Sequence, residues 1–236
     1  MKLTVTTLLS LFVLLSSTLA LADAEHIRQA LGKAMPEVTI DSIEPSPIKG
    51  LFEVSIGANI YYISSDARYL LQGRLVDMAE KKDLTEAKLA GRRLSALQQV
   101  STEQMITFAS PLPKYEVYIF TDIDCAYCRK LHSEIDQYLA EGISIHYLFF
   151  PRAGKDSESF NKAVSVWCAK DRAQALTEAK QGHDPEPKTC TNPVTQHLQL
   201  AHQFGARGTP LIVTSQGNQL PGYVPAKQLA EVLANE

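Results

Sequence analysis

The chain has 236 residues, 45% of them hydrophobic and 21% charged, with 23 basic residues against 26 acidic ones and a formal net charge of −3. That balance excludes the basic surface needed to neutralise phosphates: the longest basic runs, Lys81-Lys82 and Arg92-Arg93, suit solvated faces, and no nucleic-acid partner is expected. The length fits one large domain or two small ones, and the four cysteines make the redox compartment the first question.

The first residues answer it. Lys2 gives a short positive segment, Leu8 to Leu15 an apolar stretch broken only by Ser10, and Ala20-Leu21-Ala22 an A-x-A cleavage site, with Ala22-Asp23-Ala24 a close second. This is the pattern of an export signal over residues 1–22, cleaved near Ala22. A membrane helix is the competing reading, but spanning takes about 20 continuous apolar residues and this run is shorter. The mature chain is therefore expected to be soluble and exported, where disulfides persist.

Residues 23–84 carry the marks of a small α+β unit. A helical segment from Glu25 to Met35 is ended by Pro36, after which strand-like runs alternate with turns. Leu51 to Ile56 puts Phe52, Val54 and Ile56 on one face; Gly57-Ala58-Asn59 turns, Ile60 to Ile63 is a second strand, Ser64-Ser65-Asp66 turns again, and Tyr69 to Gln72 begins a third. At about 60 residues with no cysteine to staple it, such a unit is marginal alone, and pairing with a second copy through a sheet edge would stabilise it. From Leu84 to Val100, apolar Ala87, Ala90, Leu94, Leu97 and Val100 follow helical spacing on a narrow stripe. Residues 85–104 are read as a linker helix between two domains, with an amphipathic helix packed on the second domain as the alternative.

The second domain is placed at 105–236. A strand from Tyr115 to Phe120 runs into Cys125-Ala126-Tyr127-Cys128 and a helix with Cys128, Leu131, Ile135 and Tyr138/Leu139 on one face, ending near Gly142; a strand follows from Ile143 to Phe150. Two strands joined by a helix make a parallel βαβ pair. A helical stretch spans about Ser157 to Gln181, a short helix Val194 to Phe204, then Gly208-Thr209-Pro210 opens the strand Leu211 to Thr214, with a partner strand near Leu220 to Val224 and a last helix through Leu229, Val232 and Leu233.

A dithiol at a strand-to-helix junction suits thiol–disulfide exchange. The helix N-terminus offers unpaired N–H groups and partial positive charge to the Cys125 sulfur, which favours the attacking thiolate. Cys128, one turn further in, is expected to be the shielded, resolving thiol. Half of a zinc site and a plain structural disulfide are the other readings of C-x2-C, but Cys168 and Cys190 form no second such pair and no metal is expected. Of three possible connectivities, 125–128 with 168–190 leaves the CxxC free to act. A Cys168–Cys190 bridge closing a loop of about two dozen residues would contribute roughly 3 kcal/mol; a second catalytic pair is the weaker reading. Neutral Tyr127 adds no charge to the thiolate, and Asp122 and Asp124 oppose it if they lie close, so a milder oxidant than a dedicated disulfide donor is expected.

Phe120 to His132 around the CxxC, Tyr147-Leu148-Phe149-Phe150-Pro151-Arg152, Trp167-Cys168-Ala169-Lys170-Asp171, Gly208-Thr209-Pro210 and Pro221-Gly222-Tyr223, taken in order, resemble the DsbC-type periplasmic disulfide isomerases of the thioredoxin-fold superfamily. The resemblance covers essentially the whole mature chain. It implies an α+β protein with a cystatin-like N-terminal dimerisation domain, a linker helix and a thioredoxin-like catalytic domain with a helical insertion. It also implies a homodimer, with Cys125 as nucleophile, Cys128 as resolving thiol, Thr209 and Pro210 as a substrate-binding cis-proline loop and Cys168–Cys190 as a structural bridge. Substrates would be misfolded exported proteins with non-native disulfides, the electron donor a membrane-bound thiol reductase, and no cofactor is called for. Ala126 departs from the glycine the family often has there. A thiol oxidase that donates its disulfide, and a holdase chaperone with incidental cysteines, are the alternative functions.

Overall fold

The computed structural model describes residues 21–236, and the body of the expected export signal lies outside them. The chain divides into two compact units between Thr85 and Glu86.

The first unit opens with helix α1 over residues 21–34, and an antiparallel sheet follows: β1 (Ser42–Pro45), β2 (Leu51–Ile56), β3 (Asn59–Ser64) and β4 (Leu70–Gln72), adjacent in chain order. Ile56 pairs with Asn59, so β2 and β3 meet through Gly57 and Ala58 alone, and Gly57 takes the positive φ of +54° that such a short turn requires. Ile27 and Leu31 of α1 pack on Phe52, Val54 and Ile63 to form a small core. The alternation expected in β2 is only half the result, since Glu53 and Ser55 on its other face are buried too. Their cross-strand partners are Tyr62 and Ile60, both buried, and the Tyr62 hydroxyl is tied to Thr85 Oγ1 at 2.5 Å. A short ribbon, β5 (Val76–Asp77) with β6 (Lys82–Asp83), ends the unit; neither it nor β1 has an apolar pattern to announce it.

α2 (Leu84–Leu97) runs into the second unit, followed by a 3-10 turn (Thr102–Gln104) and β7 (Ile106–Phe108). Then come β8 (Tyr115–Thr121), α3 (Ala126–Ser133), α4 (Ile135–Ala140), β9 (Ile143–Phe149), α5 (Glu158–Trp167) and α6 (Arg172–Lys180). The unit ends with α7 (Val194–Gln203), β10 (Leu211–Thr214), β11 (Gln219–Pro221) and α8 (Ala226–Ala234). The sheet order is β11-β10-β8-β9-β7, with β8 and β9 parallel and every other pair antiparallel.

Strand alternation sorts the core into two layers. Val117, Ile119, Ile143, Ile145, Tyr147, Phe149 and Ile212 join Leu131, Tyr138, Trp167 and Leu229 from helices. Phe120, Leu148, Leu211 and Val213 join Leu97, Leu198, Ala201 and Phe204. α2 docks in this second unit: Gly217, at φ +83°, lies against the Ala90 backbone, and Arg93 Nη1 donates to Gly217 O at 2.7 Å.

Two helices expected to be continuous are broken. The one after the CxxC stops at Glu134, whose carboxylate takes Lys130 Nζ at 2.6 Å and the Tyr223 hydroxyl from far along the chain. The 157–181 stretch breaks after Cys168, and Asp171 restarts it by accepting from Gln174 N. Among the described residues no helix is long and apolar enough to cross a membrane.

Candidate active site

β8 ends at Thr121, and the loop Asp122-Ile123-Asp124 delivers Cys125 to the N-cap of α3 with an extended backbone (φ −87°, ψ 122°). The first turn of α3 holds no acidic residue, so its N–H groups face the sulfur without competition. Cys125 and Cys128 are both free thiols; Cys125 is 4% exposed and Cys128 1%, the order expected of an attacker and a shielded partner. Ala126 and Tyr127 between them are exposed.

The loop before β10 closes the site from the other side. Cys125 Sγ lies 3.2 Å from Thr209 O, and the Thr209–Pro210 peptide is cis. Pro210 O accepts from Gly222 N at 2.8 Å, which fixes the loop to the end of β11. A cleft of about 290 Å³ opens there, floored by Leu211, Pro221 and Gly222. Tyr127 stacks on Tyr223 with ring centroids 6.5 Å apart, and Lys130 Nζ sits 4.9 Å from the centre of the Tyr223 ring.

The two thiols are driven apart electrostatically. The Cys128 thiol, donating to the Cys125 sulfur, does most to lower the Cys125 pKa, to about 5. The Thr209 side chain, the Cys128 backbone N–H and the positive charge of Arg152 act in the same sense against desolvation. Burial pushes the Cys128 thiol well above its ordinary range, and serving as donor to Cys125 raises it further.

The expected opposition from Asp122 and Asp124 is offset by their partners. Asp122 Oδ2 accepts from both the backbone N–H and Nε of Arg152 at 3.0 Å, and its Oδ1 accepts from Asp124 N. Asp124 Oδ1 pairs with Arg129 Nη2 at 3.1 Å and Lys162 Nζ at 3.3 Å. Each carboxylate near the thiolate thus carries its own cation. Arg152 stood out in the sequence only as the end of the family-like segment after a strand; nothing local in the sequence marks it as a partner of Asp122. Thr121 and Lys180, buried beside Cys128, were likewise unmarked.

Cys168, at the C-cap of α5, is bonded to Cys190 with the Cα atoms 5.8 Å apart. Among the described residues no group of three or more His, Cys, Asp or Glu is arranged to hold a metal ion.

Residues 18–86 match the family described as the disulfide bond isomerase protein N-terminal domain, and residues 102–235 match the thioredoxin-like domain. A thiol:disulfide interchange protein DsbC from Dickeya dadantii is 37% identical over 227 residues, covering 96% of this chain and 93% of the relative. The protein of that name from Escherichia coli K12 is 35% identical over 226 residues, covering 94% and 93%. Among solved structures, a disulfide interchange protein from Neisseria gonorrhoeae superposes with a TM-score of 0.52 at 32% identity, covering 58% of this chain and 97% of that one.

Proposed function

We propose a role for each site residue from one premise: the chain belongs to the DsbC family of thiol:disulfide interchange proteins. It is a protein disulfide isomerase and thiol:disulfide oxidoreductase, acting on disulfide-bonded substrates. Cys125 is the nucleophile, Cys128 the resolving thiol, Thr209 and Pro210 the substrate-binding loop, and Cys168–Cys190 the structural bridge. The observation that carries this is the Cys125 sulfur, a lowered thiol at a helix N-terminus 3.2 Å from Thr209 O, with the shielded Cys128 one turn behind it.

The reaction follows from that asymmetry. The Cys125 thiolate attacks one sulfur of a non-native substrate disulfide; a mixed disulfide forms and the second substrate sulfur leaves as thiolate. A substrate thiolate attacking the substrate sulfur of the mixed disulfide forms a new substrate disulfide, breaks the bond to Cys125, releases it as thiolate and completes isomerisation with no net electron transfer. Attack by Cys128 instead forms the Cys125–Cys128 disulfide and leaves the substrate reduced by two electrons. A low-pKa Cys125 also leaves easily, which favours the first route.

Residues 1–22 direct export to the periplasm, with cleavage near Ala22; 23–84 form the dimerisation domain, 85–104 the linker helix and 105–236 the catalytic domain. The homodimer forms through the sheet of the first unit, where edge strand β4 and its neighbour Tyr69 leave Tyr69, Leu70 and Leu71 exposed at 60%, 49% and 54%. Substrates are misfolded exported proteins, and a membrane-bound thiol reductase returns the pair to dithiol.

Refolding of a scrambled multi-disulfide protein in a weakly reducing glutathione buffer tests the assignment. Wild type restores native activity, Cys125→Ser is inactive, and Cys128→Ser retains part. If wild type only oxidises reduced substrate and leaves scrambled substrate untouched, the protein is a disulfide donor; if Cys125→Ser reshuffles as well as wild type, the cysteines are incidental to a holdase.

A further inference from the structure

Lys180 closes α6, is 4% exposed, and buries its amino group within the active-site domain rather than in solvent. Its Nζ donates to two neutral acceptors, Thr121 Oγ1 and Asp122 O, both at 2.7 Å. A lysine is almost never fully buried, and a methionine would fill the same space without the desolvation cost. The acceptors point to its use. Thr121, having accepted from Lys180, keeps its own hydroxyl proton to donate, and its side chain acts to lower the Cys128 pKa, as a donor to that sulfur does. Lys180, Thr121 and Cys128 are thus buried together behind the dithiol, with Lys180 and Thr121 hydrogen-bonded and both acting to lower the Cys128 pKa.

On the reading of Cys128 as the resolving thiol, we propose that Lys180 is a positioning residue for the resolving step: through Thr121 it takes up the Cys128 proton and holds the resulting thiolate. The step balances. In the fraction of molecules that holds Lys180 as the free amine, Cys128 passes its proton to the Thr121 hydroxyl, which passes its own to that amine, giving a thiolate facing an ammonium. The thiolate attacks Cys125 Sγ in the mixed disulfide; the Cys125–Cys128 bond forms, the Cys125–substrate bond breaks, and the substrate sulfur leaves as a thiolate that water protonates. Lys180 returns its proton when Cys128 is next reduced.

Among the described residues no other group around Cys128 offers this exchange near neutral pH. Asp122, after β8, is committed to Arg152, which follows β9. Arg129 of α3 is held by Asp124 and Ile123 O. His132 of α3 lies between the Tyr147 hydroxyl of β9 at 3.1 Å and Thr177 Oγ1 of α6 at 2.9 Å, and burial lowers it to about 4. Tyr147 itself is pushed up by complete burial. Burial lowers Lys180 to about 8, with the sulfurs and Asp122 pulling the other way and Arg129 lowering it further.

The test is quench-flow of the reduced full chain with glutathione disulfide as probe, counting mixed and intramolecular disulfide by mass spectrometry between pH 6 and 9.5. In wild type, conversion of the Cys125–glutathione adduct to the Cys125–Cys128 disulfide levels off above pH 8. In Lys180→Met, formation of the adduct stays within twofold of wild type, while its conversion at pH 7 falls at least tenfold and climbs in proportion to hydroxide across the range. Thr121→Val, which keeps the lysine, behaves the same way. Conversion within twofold of wild type with an unchanged pH profile in either variant overturns the proposal. Should Lys180→Met not fold, Thr121→Val and the wild-type profile decide: a wild-type rate still proportional to hydroxide at pH 9.5 also overturns it. Failure of the dithiol assignment looks different, since Cys125→Ser would then still exchange with the probe.

Discussion

Replacing Cys128 by alanine removes the hydrogen bond that does most to hold Cys125 as a thiolate, and its effect can be worked through from the site. With Cys125 lowered to about 5, about 99% of it is thiolate at pH 7. A thiol with an ordinary pKa of about 8.5 would be about 3% ionised there, a gain of roughly thirtyfold. Intrinsic nucleophilicity falls with a Brønsted slope of about 0.4–0.5, so about 3.5 units of lowering cost roughly 30- to 50-fold in reactivity per thiolate. The two nearly cancel at pH 7. Cys125 should therefore alkylate with iodoacetamide no faster than an ordinary thiol at pH 7, yet hold that rate down to pH 6 and lose half of it near pH 5. A hydrogen bond to a charged group contributes about 1.5–3 kcal/mol, and one pKa unit is about 1.36 kcal/mol. Cys128→Ala should then raise the midpoint by about one to two units, leaving it below the ordinary range because the Thr209 side chain, the backbone N–H at 128 and Arg152 remain. Alkylation rate against pH, with ultraviolet absorbance of the thiolate as a second readout, measures both chains. A variant midpoint within half a unit of wild type, or a wild-type midpoint above pH 7, would refute the reasoning.

Burial lowers both His132 and His197 to about 4, so between pH 6.5 and 4 the unfolded chain binds up to two protons that the folded chain does not, and stability falls as pH falls through that window by up to about 3 kcal/mol per histidine. Urea melts on Cys125→Ser, which keeps the thiolate out of the balance, should show this; a total loss under about 2 kcal/mol between pH 7 and 4 counts against it. The double variant Cys168→Ala/Cys190→Ala, opening a loop of sequence separation 22, should lose about 3 kcal/mol in the same melts while its folded fraction keeps the isomerase activity of wild type. Loss of activity per folded molecule would give that bridge more than a structural role. Two glycine substitutions should move thermal stability in opposite directions. Gly217→Ala drives a Cβ onto the Ala90 carbonyl at a φ of +83° and should cost about 2 kcal/mol or more. Gly91→Ala, inside α2 with open space at the Cβ, should gain up to about 1 kcal/mol. Equal shifts in melting temperature would contradict the contact.

Much of the architecture was legible because its causes are local. The apolar alternation of Tyr115 to Phe120, the 3.6-residue spacing after Cys125 and the second apolar run from Ile143 specify a parallel βαβ unit, and the CxxC falls at its strand-to-helix junction by sequence position alone. The 125–128 and 168–190 pairing came from counting cysteines, and the site role of the Gly-Thr-Pro before β10 came only from the resemblance to the family. Two of the edge strands were not legible: β1 and β7 are short, pair on one side, and lack the alternation that a doubly flanked strand carries.

The sequence by itself determined where a thiol pair meets a helix N-terminus, because capping and periodicity act within a few residues. It could not say what surrounds that pair. Whether Asp122 opposes the Cys125 thiolate depends on Arg152, thirty residues on; that Glu134, where the helix after the CxxC stops, meets Tyr223 depends on a segment far along the chain; and whether Lys180 faces water or Cys128 depends on how α6 packs over the end of β8. Charge compensation and desolvation are set by distance in space, and the local spacing of residues carries no record of them. Tertiary structure alone decided them.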